Sequence, residues 1–236
     1  MGNFKMITLP ILMGTDDVTL HSSPCDDVSL VFPSESWVTV FEDNFTRADG
    51  AIGAQYELLF GADGTDAHGS TQIVSNALKS IITPFAGGAN PLLMGRITNA
   101  TLSPTILRQR VSITLGAFSG GNPSSIAVTL YLHAPDSDSG FDGFEWIHNY
   151  QTGIETLDCF TFSDGGNVSS PSLSPGDIIS LENAASGNLI LRVNGIQVTS
   201  CTGANLQLGT ALLQLAASGF TDASIIVDSF KVEVWE

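Results

Sequence analysis

The segment FDGFEWIHNY, residues 141–150, crowds carboxylates and aromatic rings into one short run. Retaining cleavage of a sugar bond needs two carboxyl groups about 5–5.5 Å apart. Asp142 and Glu145, three positions apart, are the nearest approach to such a pair in the chain. Binding without chemistry suits the run better. Phe141, Phe144, Trp146 and Tyr150 are candidate stacking surfaces for a sugar, and Asp138, Asp142 and Asn149 are candidate hydrogen-bonding partners. Sugar recognition combines apolar surface with a few convergent polar groups. The structural alternative has Phe144 and Trp146 alternating into a core while the acidic residues occupy a loop.

Other chemistries find no support. There is no GxSxG, no phosphate loop followed by Lys and Ser or Thr, and no glycine fingerprint of a dinucleotide site. His21, His68, His133 and His148 are scattered without an HExxH pattern, so no zinc site is expected. Cys25, Cys159 and Cys201 are odd in number and lack metal-ligand spacing. They read as three free, mostly buried thiols, with one disulfide and one free thiol as the alternative.

The formal net charge is −16, from 24 Asp plus Glu against 8 Lys plus Arg. So few cations argue against contact with nucleic-acid phosphates. A chain of 236 residues is long enough for one large domain with a substantial core. At the N-terminus Lys5 precedes MITLPILMG, which is short and holds Pro10, and Asp16-Asp17 follow without a cleavage site. An ordinary arm is expected there rather than a signal peptide. Gly2 lacks the Ser or Thr that a myristoylation pattern needs, since position 6 is Met. No apolar run approaches the roughly 18 residues of a membrane-spanning helix, so no membrane insertion is expected. The glycosylation acceptors at Asn44, Asn99 and Asn167 read as polar turns.

The elements that must position these groups are strands. ESWVTVFEDNF, RQRVSITLGAF, SSIAVTLYLHA, NLILRVNGIQVTS and SIIVDSFKVEVW all carry period-two alternation, which buries one face of a sheet. Between them lie GGAN, SGGNPSS, PDSDSGFDG, SDGGNVSSPSLSPGD and NAASGN, rich in turn residues. Asn194-Gly195 is a two-residue hairpin signal because both residues tolerate positive φ. SPTILRQR is the one candidate short helix, starting after Ser103 with Pro104 at its first position. An all-β sandwich or jelly roll is the expected class, with a closed barrel as the geometric alternative. Residues 1–36 form an N-terminal arm or small assembly subdomain, and residues 37–236 form the main domain.

The landmarks DNFTRADGAIG, QIVSNAL, LRVNGIQV and VDSFKVEV occur in that order. Over residues 38–235 the chain resembles the LamG-like jelly rolls of the concanavalin A-like lectin and glucanase superfamily. Asp43-Asn44-Phe45, Arg47-Ala48-Asp49-Gly50 and Gly53 match a recurring opening, Asn194-Gly195 the late hairpin, and Asp228-Ser229-Phe230 the closing strand. The resemblance implies a corner in which Phe45 packs inward, Asp49-Gly50 turn the chain and Arg47 ties a carboxylate or carbonyls. It also implies neighbouring terminal strands, which makes Asp43 and Asp228 candidate calcium ligands. The glucanase branch carries its catalytic carboxylates in an ExDxE or ExDxxE pattern on one strand. That pattern is absent here, and a non-enzyme is therefore expected. Such jelly rolls occur in tailed-phage virion and bacterial surface proteins. The implied role is a virion structural protein located in the virion, as capsid decoration or a head-fibre or tail component. Its partners would be capsid or tail proteins and further copies of itself in a homo-oligomer. The alternative role is a carbohydrate-binding module for host or glycan attachment.

Overall fold

Each of the five segments with period-two alternation becomes strand. The computed structural model describes residues 19–20, 28–29, 35–59, 69–82, 92–102, 108–120, 125–134, 142–149, 152, 154–160, 165–169, 171–184, 187–202, 209–218 and 223–236. The chain divides into two compact units, residues 1–35 and 36–236. In the first, β1 (Thr19–Leu20) and β2 (Val28–Ser29) pair antiparallel. The stretch MITLPIL lies outside the described residues.

The second unit is a sandwich of two antiparallel sheets. Its strands are β3 (Trp37–Asp43), β4 (Tyr56–Leu59), β5 (Gly69–Val74), β6 (Ala77–Ile82), β7 (Leu92–Leu102), β8 (Gln109–Ser119), β9 (Ser125–Ala134) and β10 (Asp142–Asn149). There follow β11 (Ile154–Phe160), β12 (Gly165–Ser169), β13 (Ile178–Asn183), β14 (Leu189–Val193), β15 (Ile196–Cys201), β16 (Gly209–Ser218) and β17 (Ala223–Trp235). A seven-stranded sheet runs β12-β11-β10-β9-β16-β7-β4. An eight-stranded sheet runs β15-β14-β13-β8-β17-β6-β5, with β3 also pairing β17. Among the described residues there is no helix, and none is long and apolar enough to cross a membrane. The candidate helix after Ser103 falls mostly on residues 103–107, outside the described set, while Gln109 and Arg110 of the same stretch open β8.

In β8 and β17 the alternation buries an inward row, whereas β3 leaves Val38 and Val40 39% and 45% exposed. Val111, Ile113 and Leu115 of β8, Leu181 of β13 and Val232 of β17 meet Ile126, Val128 and Leu130 of β9 and Leu213 of β16 in one core. At about 25 cal/mol per Å² of apolar surface, such inward rows are the main stabilising term of the fold. Asn194 (φ 51°) and Gly195 (φ 79°) form the predicted hairpin between β14 and β15. Ser75 (φ 53°) and Asn76 (φ 61°) make a second turn of this kind between β5 and β6, without glycine. The expectation of three free thiols does not hold, because Cys201 is disulfide-bonded.

Candidate functional site

Three places gather side chains or positions that could do chemistry. The first is the corner after β3. Asp43 ends that strand 8% exposed, and its carboxylate accepts from the Phe45 N–H (2.7 Å), Arg47 Nη1 (2.7 and 2.9 Å), Gln55 Nε2 (3.1 Å) and the Tyr56 hydroxyl (3.0 Å). Arg47 Nη2 also donates to the Ile52 carbonyl. Burial alone would raise the Asp43 pKa. The Arg47 guanidinium and the other three donors outweigh it and hold the carboxyl below its ordinary value. Burial and the Asp43 charge push the Tyr56 hydroxyl up, so it stays protonated as a donor. Phe45 is fully buried at φ 55° and stacks on Tyr56 at 6.3 Å. Asp49 accepts from the Ser75 N–H at 2.8 Å, and Gly50 bridges Ile73. The Asp43 carboxylate, the Arg47 Nη groups and the Tyr56 hydroxyl are bonded to one another and to the chain, which makes the corner a joint.

Calcium does not fit this joint. β3 and β17 are paired as the resemblance implies, with Asp43 opposite Phe230. Asp228, however, is exposed and lies over Gly116 of β8, on the side of β17 away from β3. The oxygens of Asp43 are taken by a guanidinium and neutral donors, which leaves no anionic cage for a hard cation. Among the described residues no group of three or more His, Cys, Asp or Glu could hold a metal ion.

The second place is the outer face of the eight-stranded sheet. Glu182, only 4% exposed, accepts from Arg108 at 2.7 Å and Arg192 at 3.1 Å. Glu233, 7% exposed, pairs with Arg110 at 2.7 Å and Lys231 at 3.2 Å. Trp37 and Trp235 meet edge to face at 5.3 Å. Arg108 lies 4.3 Å from the Trp235 ring centroid and Arg110 4.2 Å from that of Trp37, within cation–π range. This cluster is invisible along the sequence. It exists because the register sets Arg110 between Glu182 and Glu233 on three adjacent strands.

The third place is the face of the seven-stranded sheet opposite the core, around β10. Asp142 and Asn149 are the first and last residues of that strand, whereas Asp138, Phe141 and Tyr150 lie outside the described residues. Phe144 and Trp146 are core residues, 2% and 1% exposed. Trp146 packs edge-on against Phe118 at 5.2 Å, and its indole N–H donates to Glu155 Oε2 at 3.0 Å. Neither ring offers a stacking surface to a sugar. The physical reason is the strand period, which gives both rings the same parity as Leu130 and Val128, their partners on β9.

The opposite parity holds the residues that the search along one strand passes over. Glu145 pairs in register with Thr129 of β9 and Asp158 of β11. Thr129 pairs with Gln214 of β16, and Asp158 with Asn167 of β12. A polar row Asn167-Asp158-Glu145-Thr129-Gln214 therefore crosses five strands. Beside it Tyr131 stands between Gly143 and Leu212. Thr129, Tyr131 and Leu212 are 1%, 6% and 0% exposed, although the core cluster contains none of them. This side of the sheet is thus enclosed. The alternation of SIAVTLYLHA already separates Thr129 and Tyr131 from Val128 and Leu130, but only the register joins them to Glu145 and Asp158.

Neither a protein-family model nor any curated protein matches the sequence. Solved structures do. An endo-1,3-beta-glucanase from Streptomyces sioyaensis superposes with a TM-score of 0.57 at 15% identity, over 88% of this chain and 99% of the other. The GH16 of a Bacteroides ovatus mixed-linkage glucan locus gives 0.53 at 7% identity, over 81% and 99%. The carbohydrate recognition domain of Emp47p gives 0.51 at 8% identity, over 83% and 96%. These likenesses correct the expectation of a non-enzyme drawn from the missing ExDxE pattern: the fold is one that sugar-cleaving enzymes share. The chain has the concanavalin A-like jelly-roll β-sandwich fold.

Proposed function

We propose that the protein recognises carbohydrate on the β10 face of its seven-stranded sheet. The observation that carries this reading is the polar row Asn167-Asp158-Glu145-Thr129-Gln214, which the register sets on the side of the sheet opposite the core. A sugar needs several hydrogen-bonding groups in one place, and the register sets these five polar positions side by side. The neighbours named above, glucanases and a carbohydrate recognition domain, support a glycan as the partner. On a virion, the setting that the sequence resemblance implies, such a domain would serve attachment to a host glycan.

One observation favours cleavage as a second reading. Glu145 and Asp158 are directly opposite on neighbouring strands, which brings their Cβ atoms within about 4.5–5.5 Å. Two carboxyl-bearing residues set opposite each other across strands are the residue types that retaining cleavage uses, and a motif along one strand cannot reveal them.

The test is isothermal titration with soluble β-1,3-glucan, mixed-linkage glucan and carrageenan oligosaccharides, together with an assay for released reducing ends. Affinity for one of these, lowered tenfold or more by Glu145→Gln or Asp158→Asn, is the expected result. Binding that both variants leave unchanged, or no affinity for any of the panel at millimolar concentration, overturns the β10 face as the site. Release of reducing ends by the wild type and by neither variant selects the second reading.

A further inference from the structure

We propose that the disulfide partner of Cys201 is Cys159, and that their bond clamps the two sheets together at the strand carrying Asp158. Cys201 is disulfide-bonded, 6% exposed and part of the core cluster. It ends β15, the outermost strand of the eight-stranded sheet. Its register partner there is Leu189, a core residue, so position 201 belongs to the core side. Position 159 on β11 pairs with Phe144, also a core residue, and so belongs to the core side of the opposite sheet. β11 and β15 are in contact across the sandwich. The two positions are therefore brought together from opposite sheets near one edge of the fold, while Cys25 belongs to the unit of residues 1–35.

The chemistry sets a condition on where the protein matures. Two thiols lose two protons and two electrons as the S–S bond forms. The electrons pass by thiol–disulfide exchange to a more oxidising disulfide, which leaves as its dithiol. Such an oxidant is found in secretory and periplasmic compartments and outside the cell, whereas cytosolic thiols are kept reduced. A domain that meets glycans on a surface would pass through such a setting.

The last step of the inference rests on the proposed glycan site. Asp158 immediately precedes Cys159 on β11, so the clamp holds in place the strand that supplies part of the polar row. Opening the bond loosens β11 and weakens glycan binding.

Peptide mapping by mass spectrometry of the unreduced full chain tests the pairing. A linked peptide pair containing residues 159 and 201, with Cys25 alkylated, is the expected result. A link from Cys25 to either of the others, or alkylation of all three, overturns it. Cys159→Ala and Cys201→Ala should each lower the Tm by roughly 10 °C, with no further fall when combined, because either change opens the same loop. Cys25→Ala should leave the Tm unchanged, and a fall equal to the others counts against the pairing. Glycan titration before and after dithiothreitol reads the last step. If binding survives with the bond opened, the clamp has no part in the site. If the bond maps as expected and the wild type binds no glycan, only the functional reading fails.

Discussion

The outward faces of the two sheets treat polar residues in opposite ways. On the eight-stranded sheet, four of the chain's eight cations, Arg108, Arg110, Arg192 and Lys231, converge on Glu182 and Glu233. Each carboxylate is buried between two positive groups, and two indoles complete the layer. On the seven-stranded sheet the row Asn167-Asp158-Glu145-Thr129-Gln214 contains two carboxylates, and Arg96 of β7, the register partner of Leu212, has the same parity beside it. The first face spends its charge on itself and stabilises the fold. The second sets five polar positions in line across five strands by register, and the proposed glycan reading rests on that row. Both faces use the same residue types, and on the first each carboxylate already has its counter-charges.

The hardest blow to this contrast is Glu182→Ala. Removing one partner of a buried ion pair costs roughly 3–5 kcal/mol when the charge left behind stays buried. Arg108 and Arg192 are 33% and 27% exposed and can rehydrate, which brings the expected loss to about 2–3 kcal/mol. Urea denaturation should show that loss at an unchanged m-value, with glycan affinity of the folded variant retained. Were affinity to fall instead with stability intact, the eight-stranded face would be the binding face and the roles of the sheets would exchange.

Asp43→Asn comes next, at about 2 kcal/mol for the loss of charge-assisted hydrogen bonds. The folded pKa of Asp43 lies below its ordinary value of 3.8. Its contribution to stability is therefore fully present above that value and lost as pH falls through the lower folded pKa. Wild-type stability should decline below about pH 4 more steeply than that of Asp43→Asn, in denaturation curves taken from pH 7 to pH 2. Parallel declines would place the acid-sensitive group elsewhere than the corner.

Reading by period works where both members of a relation lie on one strand. It assigns Val111, Ile113 and Leu115 to the core, and it separates Thr129 from Val128 without any structure. The Asn194-Gly195 turn is legible for the same reason, because positive φ at two adjacent residues is a local demand. The polar row and the arginine cluster are relations between strands far apart in sequence. Arg110 meets Glu233, and Glu145 meets Asp158, only through pairing registers that no single stretch encodes. Phe144 and Trp146 show the converse. Their aromatic character suggests stacking on a sugar, while their parity, equally visible in FDGFEWIHNY, gives them to the core. The bonded state of Cys201 was beyond the reach of composition, since an odd count allows free thiols and one bridge alike.

The smallest expected effect concerns a polar group that belongs to neither outer face. Asn183 is fully buried on the core side of β13, paired in register with Gln109 and Leu189. Among the described residues neither its Oδ1 nor its Nδ2 has a hydrogen-bond partner. A buried amide left in that state costs roughly 1–3 kcal/mol, whereas an apolar group of similar shape carries no such penalty. Asn183→Leu should therefore raise stability by about 1 kcal/mol, or the Tm by about 2–4 °C, in calorimetry. A fall of the same size would mean that the amide holds a polar partner in solution. The core end of β13 would then belong with the self-satisfied groups of the eight-stranded sheet, and the contrast drawn between the outer faces would extend into the interior.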